Sequence, residues 1–185
     1  MKYLFSVLLF YSFLPNLIAQ PDIRNANWGW SKERVKKSET LALFSDKNGL
    51  LYKGNLGGKK FYISYSFTDN KLSRVVYIYN ETHSNDNNYI TSYDELKEVL
   101  TTKYQEPRST VTWKNDLFKD DEDKWGLAIS AGHLGLKSIW ETENTNITLA
   151  CAGENYEITL GIVYTGKSYF DLLKSERDKK NLNDF

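Results

Sequence analysis

Two histidines, His83 and His133, stand fifty positions apart in this 185-residue chain, and the lone cysteine, Cys151, lies beside neither. A nucleophilic pair or a zinc site needs such groups at ligand spacing, so neither has a starting point here. His133 falls in Gly132-His133-Leu134-Gly135, which reads as a surface turn between strands, and His83 sits with Asp86 in the polar run Asn80 to Ile90, which reads as a solvated loop over the sheet edge. Asp116, Asp120, Asp121, Glu122 and Asp123 crowd one short stretch, Asn115 to Lys124, with the carboxylate chemistry of a calcium site. The EF-hand order is missing, because no glycine or terminal glutamate stands at the needed offsets, so the run reads as a wet loop shielding an edge strand. The glycines of Gly54 to Gly58 lack the following Lys-Ser or Lys-Thr of a phosphate loop and read as a turn. With no nucleophile elbow, dinucleotide fingerprint or zinc-protease signature, no catalytic residue, metal ligand or cofactor is assigned.

Recognition chemistry is better represented. Tyrosine offers area and a hydroxyl at low entropic cost, and Tyr62, Tyr77 and Tyr79 are expected to share one exposed sheet face unless a helix covers them. Trp28 and Trp30 are expected first as packing anchors and second as ligand-stacking rings.

These residues need elements to hold them. In Lys59 to Tyr79 the apolar set Phe61, Ile63, Tyr65 and Phe67 alternates with Tyr62, Ser64 and Ser66, Asp69-Asn70 punctuates, and Leu72 to Tyr79 resumes with β-branched and aromatic residues. That pattern predicts a hairpin with a tight turn. A second hairpin is expected from Leu41 to Lys53 around Asn48-Gly49. Ser31 should cap a short helix from Lys32 to about Glu39, with Trp30 and Val35 stapling it. Ser92 and Glu95 have the spacing of a capping box, so the longer helix is expected to open there, bury Leu96, Val99, Leu100 and Tyr104, and end at Glu106-Pro107. Ser109 to Trp113 reads as a strand. A meander follows over 125–130, 136–142, 146–151 and 156–164, and a closing helix from Ser168 to about Asn181. The expected class is therefore α+β: an antiparallel sheet of meander hairpins with helices on one face.

Met1-Lys2 and the apolar run Leu4 to Leu14 read as a secretory signal, too short for a permanent membrane helix, with cleavage expected after Ala19. The mature residues 20–185 form one α+β unit, with two lobes, 20–107 and 108–185, as the other division. Loss of Lys2 leaves 23 basic residues against 24 acidic, a charge balance that argues against nucleic acid or an anionic membrane as partner. No later apolar run could span a bilayer, and no cysteine is placed for lipid attachment. A single cysteine also leaves the exported chain without an internal disulfide, so packing must hold it.

The phrase Trp28-Gly29-Trp30-Ser31-Lys32-Glu33-Arg34-Val35 resembles the opening of small exported bacterial domains, among them BamE-like outer-membrane assembly lipoproteins and β-lactamase-inhibitor-protein-like domains. Lys103-Tyr104-Gln105-Glu106-Pro107 is similar to the ending of their second helix, with Gln105 in place of a glycine. The resemblance covers about a third of the chain and implies helices layered on a sheet and a scaffold or binding role. The missing lipid-anchor cysteine separates this chain from the lipoproteins. A periplasmic or secreted, non-enzymatic binding or scaffold protein is the leading expectation, its partner an envelope or extracellular protein or glycan. The alternatives are a hydrolase using the acidic loop and His133, and a purely structural periplasmic protein.

Overall fold

Alternation of apolar and polar residues along the strands produces a sheet with one dry face. A computed structural model describes residues 21–169 and Leu173; the expected export signal and most of the expected closing helix lie outside them. In chain order the elements are α1 (Lys32–Ser38), β1 (Leu43–Ser45), β2 (Leu50–Leu56), β3 (Lys59–Thr68), β4 (Lys71–Tyr79), α2 (Asn87–Tyr104), β5 (Arg108–Trp113), α3 (Trp125–Ser130), β6 (Leu134–Glu141), β7 (Thr145–Glu154) and β8 (Glu157–Gly166). The eight strands form one antiparallel sheet in the order β1-β2-β3-β4-β8-β7-β6-β5. Two four-stranded meanders are thus joined by the β4–β8 pair, where Tyr77 faces Ile162 and Val75 faces Tyr164. The fold is α+β.

Phe61, Ile63 and Tyr65 lie on the buried face with Tyr77, Leu149, Ile162 and Trp140. The residues between them on β3, Tyr62 and Ser64, turn to the other face and are only partly covered. Helices α2 and α3 lie over the β6–β8 half of the dry face, and α1 with the arm before it covers the β4 side. Their buried side chains, Val35, Leu96, Leu100 and Ile129 among them, form one cluster with the strands. Ser31 caps α1 as expected, its Oγ accepting from the Arg34 amide at 3.3 Å. Asp69 and Asn70 both adopt left-handed φ, 49° and 58°, as a two-residue hairpin turn demands.

Four local expectations change. Residues 125–130 are helix α3 rather than a strand. Gly126, Ile129 and Ser130 are buried at helical spacing, and Gly126 presses so closely on the start of α2 that a Cβ there would come within 2.3 Å of the Asn87 amide. Helix α2 begins at Asn87, five residues before the expected cap. Ser92 is buried inside it and hydrogen-bonds Tyr79 instead of capping. Val99, placed by periodicity against the sheet, is 65% exposed at the helix margin. Phe67 leaves the row of Phe61, Ile63 and Tyr65 because the β3–β4 ladder bulges between Ser66 and Phe67.

Candidate functional site

The bulge decides where the tyrosines go. Next to the turn, Thr68 pairs with Lys71 and Phe67 with Leu72; a regular ladder continued from there would set Tyr62 opposite Tyr77, on a common face. The extra residue moves the pairing by one, so Ile63 meets Tyr77, Phe61 meets Tyr79, and Tyr62 meets Ile78. Tyr77 and Tyr79 therefore join the dry face, both buried, while Tyr62 stands on the opposite one near Phe44 and the Lys53 ammonium. The expected shared surface of Tyr62, Tyr77 and Tyr79 does not exist.

What the dry face offers is a cleft. The arm before α1 and the helix α2 both line a mainly apolar space of about 330 Å³ above β3, β4 and β8. Phe61, Tyr77, Ile162 and Tyr164 form its floor, and Leu96, Val99, Leu100 and Tyr104 its helical wall, at the three- and four-residue spacing of one helix face. Antiparallel pairing brings the floor together from distant sequence. The Tyr77 and Tyr164 rings lie 5.4 Å apart, and Phe61 meets Tyr77 edge to face at 6.2 Å.

Polar groups ring this space. Arg24, held at φ 50°, pairs with Glu39 through two bonds, Nε to Oε2 at 3.0 Å and Nη2 to Oε1 at 3.1 Å. The Tyr65 hydroxyl donates to the same carboxylate at 2.5 Å. Burial pushes the Glu39 carboxyl upward, but the hydrogen bonds from Arg24 and Tyr65 outweigh it and leave the group below the usual carboxylate range. Lys59 pairs with Glu95 across the mouth at 2.5 Å, an interaction that raises the lysine. Lys103 lies over the Tyr104 ring at 5.0 Å from its centre, and among the described residues it is in no salt bridge. Burial raises the Tyr77 and Tyr164 phenols well above their ordinary value, so both remain protonated donors at neutral pH.

Of the recognition residues expected from the sequence, Tyr62, Tyr77, Tyr79, Trp28 and Trp30, only Tyr77 lines the cleft. The Tyr79 hydroxyl is hydrogen-bonded to His83 Nε2 at 3.0 Å and Ser92 Oγ at 3.2 Å, a cluster tying the start of α2 to β4. Trp28 donates from Nε1 to Thr145 Oγ1 at 2.9 Å and packs against Gly166; Trp30 carries the Arg34 guanidinium 3.8 Å above its ring. Both tryptophans are half-buried anchors of the arm. His133 stacks on Phe118, and Asp116 and Asp121 pair with Lys119 and Lys124 one turn away. Among the described residues no three acidic, histidine or cysteine groups gather as a metal site. Arg24, Lys59, Lys103, Tyr104 and Tyr164 escaped sequence reasoning. Tyr104 and Tyr164 did show their burial periodicity, but nothing local announced that the two would face one space.

No protein-family model, curated protein or solved structure matched the chain. Among the described residues no helix is long and apolar enough to cross a membrane.

Proposed function

We propose that this chain is an exported, non-enzymatic binding protein of the bacterial envelope or exterior, and that its site is the cleft between α2 and the arm before α1. The observation that carries the reading is the cleft itself: an apolar, partly enclosed space at the lower end of the ~300–1,000 Å³ range of ligand sites, bordered by a few converging polar groups. Export rests on the pattern of residues 1–19. A hydrolytic role has less support, since His133 packs on Phe118 and two of the nearby acids are engaged by lysines. The test is a titration of the mature protein with 2-naphthalenemethanol, an uncharged ligand of fitting size, followed by protein NMR and by saturation transfer to the ligand. Saturable binding at one site is expected. Val99→Trp, at an exposed position on the cleft margin, should weaken it about tenfold while leaving the melting temperature nearly unchanged. Absence of saturable binding, or binding indifferent to Val99→Trp, rejects the cleft as the site.

A further inference from the structure

Charge in the cleft is one-sided, and this points to the chemistry of its occupant. The groups lining it include three cations, Arg24, Lys59 and Lys103, and three phenols, Tyr77, Tyr104 and Tyr164, but one carboxylate, Glu95. Glu95 is already taken by Lys59, and Glu39, behind Arg24, accepts from both Arg24 and Tyr65. The local carboxylates are therefore occupied, whereas Lys103, on the last turn of α2, retains an ammonium above the Tyr104 ring with no carboxylate partner among the described residues. The phenols cannot supply the missing negative charge, because a tyrosine hydroxyl is uncharged at neutral pH and burial raises Tyr77 and Tyr164 further. An apolar floor beside the unpaired Lys103 ammonium and a net positive lining complements a ligand with an apolar body and a terminal acceptor that carries negative charge.

Resting on the cleft as the binding site, we infer that it takes a small amphipathic carboxylate with its apolar body on Phe61, Tyr77 and Ile162 and its charged end toward Lys103. The space sets the size. At ~30 Å³ for a water-sized group, about 330 Å³ accommodates roughly eleven such groups, a two-ring aromatic or a short alkyl chain. The aromatic floor favours the ring.

The experiment compares 2-naphthoate with 2-naphthalenemethanol, which share their rings and differ in the charged acceptor. With the native mature protein the carboxylate should bind about tenfold more tightly, the scale of one charge-assisted hydrogen bond, and added salt should erode that advantage. Lys103→Glu, at an exposed position, should abolish the preference; Tyr164→Phe should reduce it part way. Equal binding of the two compounds, or a preference that survives Lys103→Glu, overturns the carboxylate assignment and leaves the cleft standing as an apolar site. Failure of both compounds to bind removes the cleft and this inference together.

Discussion

Glu39 is the residue on which the two sides of the cleft's arm depend. Its side chain is 2% exposed, yet it is charged, because Arg24 and Tyr65 donate to it and the amides of Thr40 and Leu41 do the same at 2.8 and 3.1 Å. Glu39→Gln leaves the Arg24 guanidinium facing a neutral amide and is expected to cost about 3 kcal/mol in urea unfolding. The pH dependence has a definite sign. The folded-state pKa lies below the unfolded one, so the contribution is complete above about pH 5 and is lost as pH falls through the folded value. The stability gap between native protein and Glu39→Gln should accordingly narrow in unfolding curves taken from pH 6 down to pH 3; a constant gap refutes the ion pair as its origin. Tyr52 is the opposite case. Its hydroxyl is buried and unpartnered among the described residues, so Tyr52→Phe removes a desolvation cost and should raise stability by about 1 kcal/mol; a loss of that size in the same assay means the hydroxyl has a partner.

At the scale of elements, two backbone irregularities place the site. The bulge between Ser66 and Phe67 rotates the Tyr77 row onto the dry face, as described above, and supplies the cleft with its floor. The end of α2 is the second. Gln105 follows the helix at φ 69° and ψ −165°, a conformation almost confined to glycine, while its carbonyl accepts from Trp140 Nε1 at 2.9 Å. Glycine, with no Cβ, adopts this dihedral pair without strain. Gln105→Gly should therefore stabilise the fold by about 1 kcal/mol in thermal or urea unfolding, since the strain relieved exceeds the added freedom of the unfolded chain. A destabilised variant rules out backbone strain at the helix end.

For the whole molecule, two meanders share one sheet and one apolar cluster, and the cleft lies over their junction, its floor drawn from β3, β4 and β8. The proposal that the chain works outside the cytoplasm belongs to this scale. Mass spectrometry of the protein recovered from its cells should find an N-terminus at Gln20 or its cyclised form; a retained Met1 contradicts export. The strands, the tight turn at Asp69-Asn70, the cap at Ser31 and the parity of Ile147, Leu149 and Cys151 were legible in the sequence, because each follows from a side-chain period or a local steric preference. Helix α3 was misread because six residues hold too few periods to separate the two patterns, and its helical form rests on Gly126 meeting Asn87 from another helix. The site was legible only in fragments. Burial was legible for Tyr104, whereas Tyr77 was expected on an exposed face, and whether these residues would meet Tyr164 around an open space depended on a one-residue register shift and on the gap between α2 and the arm. By itself the sequence determined the α+β class and the dry parity of most strands, since these are properties of neighbouring residues. Tertiary structure decided the cleft and its excess of cations, because distances between segments far apart in the chain are set by packing and by no local pattern.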